Sequence, residues 1–212
     1  MVEGSEDINS VLKELSQKKP DLVEFRLDRI TDLGILDIIG TTKKEFKTIA
    51  TDRGIRNVAG RMRLLQMAIE SGFDFVDVDV GDRASRKIIQ TLKNTNSKLV
   101  VSYHDYSGTP SPNALNKVLE REKSNGGNVC KIVTTAKHPR DNLTVLRFVE
   151  SNASKAKLVS FAMGRMGIPS RVLSTLYGAE FTFASLTEEA QTAEGQLSID
   201  DLRRVWQMLG VS

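Results

Sequence analysis

Leu99-Val100-Val101-Ser102-Tyr103-His104 sets the reading of this 212-residue chain. It opens on three apolar residues with no polar alternation, the pattern of a strand covered on both faces, as in a parallel sheet packed between helices. Ile132-Val133 repeats that pattern. Working outward, apolar and β-branched runs of strand length recur at 22–26, 46–51, 75–80, 129–133, 158–162 and 181–184, giving seven with 99–104. Segments of helical period separate them at 9–17, 57–71, 85–92, 113–122, 139–150, 170–177 and 198–209. Successive strand starts lie 23 to 30 residues apart. That spacing brackets the roughly 26 residues each of eight βα units would take from this length.

Helix-end signals agree with the alternation. Ser198 followed by Asp201 is a capping-box-like start, Pro112 and Pro139 sit where first turns begin, and Gly178 follows a helix as a stop. The expected architecture is α/β, a single (β/α)8 TIM barrel forming one catalytic domain over residues 1–212. Its first strand is short or truncated, because Met1 and Val2 are the strand-like residues ahead of the first helix. An open doubly wound sheet, or a chain whose first strand begins upstream of Met1, accommodates the same pattern.

Composition narrows the function classes. With 40% hydrophobic and 27% charged residues the chain has the make-up of a folded globular protein. Thirty Lys and Arg against 27 Asp and Glu leave +3, with both signs interspersed, which argues against a dedicated nucleic-acid binder. A single cysteine, Cys130, makes neither an internal disulfide nor a zinc site. Residues 1–10 lack a basic head followed by an apolar run, and no stretch reaches eighteen consecutive apolar residues. The expectation is a cytoplasmic protein that engages neither membrane nor nucleic acid.

In parallel α/β proteins the ligand site forms at the carboxyl ends of the strands, and the unusual polar residues fall there. Glu24 and Arg26 close one run, Arg53 follows the next, Asp79 ends a third and His104 ends the fourth. Residues two apart share a face, so Glu24 pairs with Arg26 and Ser102 with His104. Lys131 lies inside the apolar run Val129-Cys130-Lys131-Ile132-Val133. A buried ammonium there loses hydration and its pKa falls, which makes a nucleophile able to form a Schiff base with a ketone or aldehyde. The plainer alternative is a lysine that snorkels to water.

His104 reads as a proton carrier or as a hydrogen-bonded structural histidine, and His138, just before Pro139, as a solvated cap. Cys130 alternates with Lys131, so it should face the helix layer as an inert thiol. Arg26, Arg53 and Arg171 suit a carboxylate clamp, or surface ion pairs. Gly164 and Gly167 offer a phosphate cradle but lack the glycine spacing of nucleotide-binding loops. Residues 186–197 form a polar segment that reads as a lid or a surface loop.

Taken together and in order, several motifs resemble those of type I 3-dehydroquinate dehydratases. They are Asp-Leu-Val-Glu-Phe-Arg-Leu-Asp (21–28), Val-Ser-Tyr-His-Asp-Tyr (101–106), Lys131 in Cys-Lys-Ile-Val, Met163 with Arg165-Met166-Gly167 through Ser170-Arg171, Phe-Thr-Phe-Ala (181–184) and Ala-Glu-Gly-Gln (193–196). The resemblance covers nearly the whole chain. It implies a (β/α)8 barrel, usually a homodimer, that needs no metal or organic cofactor and converts 3-dehydroquinate to 3-dehydroshikimate.

It further implies that Lys131 forms an imine with the C3 ketone and that His104 moves the C2 proton. Glu24, Arg26 and Arg53 would face the ring hydroxyls, and Arg171 would hold the carboxylate. Met163 and Phe183 would form an apolar wall, while Thr192, Ala193 and Gln196 would close a loop over the ligand. Asp28 and Asp105 would support these groups. Three departures stand out: Arg53 leads into Gly-Ile-Arg-Asn-Val-Ala-Gly, with no carboxylate there to assist His104; the loop carries Glu194 where proline is usual, with Thr192 in the place of a serine; and the first strand is short. A Schiff-base aldolase or a non-catalytic metabolite-binding barrel would share part of this pattern.

Overall fold

A computed structural model describes residues 8–30, 36, 45–54, 57–81, 85–92, 95–191 and 193–211. In chain order the described elements are α1 (Ile8–Lys18), β1 (Leu22–Arg26), β2 (Lys47–Thr51), α2 (Val58–Glu70), β3 (Phe75–Asp79), α3 (Ser85–Leu92), β4 (Lys98–His104), α4 (Pro112–Ser124), β5 (Val129–Thr135), α5 (Arg140–Asn152), β6 (Leu158–Met163), α6 (Ile168–Leu173) and α7 (Ile199–Met208). Short 3-10 turns at Arg165–Gly167 and Ser174–Tyr177 flank α6. The chain packs as two compact units, Met1–Val100 and Val101–Ser212, whose boundary falls inside β4. Among the described residues no helix is long and apolar enough to cross a membrane.

In the first unit β1 pairs with β2 and β2 with β3, both parallel, so Arg26 lies opposite Thr51 and Thr51 opposite Asp77. The Lys98 amide continues the series by donating to the Asp74 carbonyl at 2.8 Å. Phe25, Leu65, Val76 and Ile88 are all but inaccessible, each contributing about 1.5–3 kcal/mol by leaving water. The Asn57 side chain accepts from the Gly60 amide at 2.8 Å and so starts α2.

In the second unit β5 and β6 are parallel, with Lys131 opposite Val159, Val133 opposite Phe161 and Thr135 opposite Met163. The Asp105 amide, just past β4, donates to the Val133 carbonyl at 2.8 Å. Cys130, Ile132 and Leu158 pack with Leu115 and Leu119 of α4 and Phe148 and Val149 of α5, and Tyr103 lies against the same cluster. Alternation then assigns the opposite face to Ser102, His104, Lys131, Val133, Val159, Phe161 and Met163. Cys130 faces the helix layer, as its place beside Lys131 predicts.

Element ends follow the sequence signals. Ser198 accepts from the Asp201 amide at 3.1 Å and donates to its carboxylate at 2.7 Å. Pro112 opens α4 behind the Ser111 cap, and Gly178 stops the turn after α6 at φ 100°. At the start of α5 it is Asp141 that caps, accepting from the Lys137 and His138 amides, while His138 is exposed.

The expected strand at 181–184 does not form. After the Glu180 amide donates to the Leu158 carbonyl at 2.9 Å, the ladder ends, because the Phe183 carbonyl accepts from Arg171 and the Thr182 hydroxyl turns to the Arg171 carbonyl. Pairing resumes only as an isolated parallel bridge between Ser185 and Ser198. Six strands are therefore present among the described residues, and the Met1–Val2 stub lies outside them.

Candidate active site

In the first unit the register of three strands sets the polar residues on one face. Arg26, Thr51 and Asp77 are successive register partners; Glu24 lies two residues before Arg26, Arg53 two after Thr51 and Asp79 two after Asp77. Glu24 is 4% exposed and accepts from the Thr51 hydroxyl at 2.9 Å. Arg26 grips Asp28 through Nε at 2.9 Å and Nη2 at 2.7 Å, the bidentate fork that fixes a guanidinium plane. Burial works against the ionised form of Asp28, but Arg26 and the amides of Arg53 and Asp28 outweigh it and hold the carboxyl below its ordinary range.

Arg53 donates to Asp77 at 2.7 Å and lies 3.5 Å from Asp79. Burial opposes its charge as well, yet Asp77, Asp79 and Glu24 more than compensate and keep it firmly protonated. Arg53, Asp77 and Asp79 border a cleft of about 180 Å³ whose lining also includes Asp52, Arg61 and Ser85. Sequence reasoning missed Asp77, although its spacing of two from Asp79 in Phe-Val-Asp-Val-Asp carried the signal.

In the second unit Lys131 is 5% exposed, and its Nζ lies 4.2 Å from the centroid of the Phe183 ring. Phe183 meets Phe161 at 6.1 Å and Phe181 at 5.5 Å, so this residue, expected to form an apolar wall, belongs to an aromatic cluster. Arg171 is 2% exposed and stands 4.2 Å over the Phe161 ring. Its Nη1 donates to the Phe183 carbonyl at 3.3 Å. Burial without a carboxylate partner among the described residues lowers its pKa to about 10. His104 stacks on Tyr106 with ring centroids 6.0 Å apart. Asp105 accepts from the Ser107 hydroxyl and from the amides of Ser107 and Gly108; burial raises its carboxyl but these bonds lower it further. That carboxylate shapes the turn after β4.

Asn142, which carried no signal in the sequence, secures the segment that bears Arg171. Its Nδ2 donates to the Met166 carbonyl at 2.6 Å and its Oδ1 accepts from the Ser170 amide at 3.0 Å. Ser170 in turn accepts from the Ala162 amide at 3.0 Å, fastening α6 to β6. Met163 ends β6, half-buried. Gln196 is 3% exposed, and its amide donates to the Ala193 carbonyl at 3.1 Å. Thr192 lies outside the described residues.

The family model for type I 3-dehydroquinase matches residues 1–212. The chain belongs to the type I 3-dehydroquinase family. It is 28% identical over 211 residues to the 3-dehydroquinate dehydratase of Pyrococcus abyssi, covering 97% of this chain and 95% of that one. With the Methanocaldococcus jannaschii 3-dehydroquinate dehydratase it shares 30% identity over 198 residues, covering 89% and 87%. Among solved structures, the 3-dehydroquinate dehydratase of Geobacillus kaustophilus superposes with a TM-score of 0.85 at 28% identity, covering 97% of this chain and 88% of that one. In this member of the 3-dehydroquinase family Glu24, Arg26 and His104 lie toward the carboxyl ends of their strands and Arg53 just past one, Lys131 is buried within β5 on the face that bears His104, and Arg171 lies on α6.

Proposed function

We propose that this protein is a hydro-lyase that converts 3-dehydroquinate to 3-dehydroshikimate through a Schiff base on Lys131. The observation that carries the reading is a buried lysine, its Nζ against an aromatic face, in a chain matched over its whole length by the type I family. The neutral amine of Lys131 attacks the C3 ketone and the carbinolamine loses water to give an iminium. The iminium acidifies the neighbouring C2–H. His104 takes that proton and delivers it to the departing C1 hydroxyl, which leaves as water. Hydrolysis of the iminium restores Lys131, so the net change is loss of one water molecule.

Glu24, Arg26 and Arg53 bind ring hydroxyls in this reading. Arg171 binds the carboxylate through its planar donor edge. Met163 and Phe183 exclude water from the ring, and the loop through Thr192, Ala193 and Gln196 closes over it. The chain works as one (β/α)8 barrel domain over 1–212 with a short first strand, as a cytoplasmic homodimer, and its residues supply the chemistry without a metal or organic cofactor. The similarity to the Geobacillus kaustophilus structure supports this architecture.

The test is intact mass of the protein after 3-dehydroquinate and borohydride, with peptide mapping and ultraviolet detection of the enone product in parallel. An adduct on the peptide holding Lys131, together with product, is the expected result. Replacing Lys131 with alanine should abolish both, whereas His104→Ala should keep the adduct and lose turnover by orders of magnitude. Product without an adduct would overturn the imine; neither product nor adduct would leave a binding-only barrel.

A further inference from the structure

Arg171 is buried against an aromatic ring, with no acid paired to it among the described residues. Its guanidinium lies 4.2 Å over the Phe161 ring, and its one hydrogen bond among the described residues is the 3.3 Å contact from Nη1 to the Phe183 carbonyl. The Nε is buried without an acceptor among those residues. A buried arginine ordinarily has a carboxylate partner, because an uncompensated interior charge is costly. The ring face supplies part of that compensation in another way: it meets the flat of the guanidinium electrostatically and leaves the in-plane N–H edge unused.

We propose that Phe161 is a positioning residue for substrate recognition, its ring carrying the Arg171 guanidinium in place of a counter-carboxylate so that the donor edge and its charge are reserved for an anionic substrate group. The inference rests on the proposed dehydratase reading for the identity of that anion, the substrate carboxylate. A carboxylate neighbour in the position of Phe161 would neutralise Arg171 and compete with the ligand; a ring of that size does neither. The Phe183 ring, in contact with Phe161, faces the Lys131 amine in the same manner. Phe161 itself sits opposite Val133 in the register, on the face that bears Lys131 and away from the helix layer.

The experiment replaces Phe161 with mono-, di- and trifluorophenylalanine, which keep the ring's shape while draining its negative face. Binding of 3-dehydroquinate is measured by calorimetry in the Lys131→Ala background, where no covalent step intrudes. Affinity should fall stepwise with each fluorine, by about two- to tenfold over the series, the range that weakening one desolvated cation–π contact allows. In the enzyme with Lys131 intact, KM should rise along the same series while kcat changes little, a split that loss of packing alone would not order by fluorine number. Affinity independent of fluorination, in a protein whose parent turns over dehydroquinate, would overturn the inference and leave the dehydratase reading standing. A parent protein that neither binds nor dehydrates dehydroquinate would overturn both.

Discussion

The Gly164 amide donates to the Glu194 carbonyl at 3.1 Å, tying the turn after β6 to the loop that carries Gln196. The tie places Gly195 directly on Gly164: a β-carbon at 195 would run into the Gly164 carbonyl, and Gly195 also holds φ 75°. Both constraints favour glycine. Gly195→Ala should therefore lift the loop off the Gly164 turn and lose about 1 kcal/mol or more of stability. Because Gln196 follows immediately, kcat/KM for dehydroquinate should fall more than thermal stability does. Wild-type kinetics in this variant would remove the loop from the site.

A second prediction concerns Asn142, 4% exposed in α5. Alanine there strands the buried Ser170 amide, at about 1–3 kcal/mol for an unmet buried group, and takes the donor from the part-buried Met166 carbonyl. Urea denaturation should report a loss of roughly 2–4 kcal/mol. Since α6 carries Arg171, the variant should also raise KM with a smaller change in kcat. An unchanged KM at reduced stability would mean that α6 keeps its place through Ser170 and β6 alone.

How much of this was legible in the sequence depended on whether a rule of spacing existed. Period two put Glu24 with Arg26 and separated Lys131 from Cys130, and cap chemistry located Ser198 and Pro112. The run Phe-Thr-Phe-Ala at 181–184 has strand propensity, but its fate was decided by Arg171, a residue ten positions upstream that takes the Phe183 carbonyl. Phe161 reads the same in sequence whether it meets core or guanidinium. Asn142 sits in an amphipathic helix where nothing local shows that it bridges two carbonyls and an amide. Propensity reports what a residue favours locally; these roles were set by neighbours distant in the chain.

The Arg26–Asp28 pair gives a pH prediction with a definite sign. The Asp28 carboxyl is held below its ordinary range in the folded protein, whereas unfolding returns it to about 3.9. Between those values the unfolded chain binds more protons, so stability rises with pH there. The pair's contribution is complete at neutral pH and is lost as pH falls through the folded value. Asp28→Asn should cost about 1–2 kcal/mol at pH 7, and chemical denaturation should find that gap constant above about pH 5 and closing below the ordinary carboxylate value. A gap that stayed constant into strong acid would mean the fork contributes no charge-dependent stability.

Cys130 tests the face assignment on which the Lys131 reading depends. Burial, reinforced by Glu122, pushes its thiol up to about 12, and the residue is 1% exposed within the cluster formed with α4 and α5. At pH 8 almost none of the thiol is then ionised, and a reagent must also reach a sulfur in the core. Folded protein should resist an aromatic disulfide reagent at pH 8 and yield one thiol per chain in guanidinium. Alternation links this result to catalysis, since a Cys130 that reacted readily when folded would lie on the open face and turn Lys131 toward the helices. Protection of Cys130 alongside borohydride capture at Lys131 would set the two neighbours on opposite sides of β5, as the packing requires.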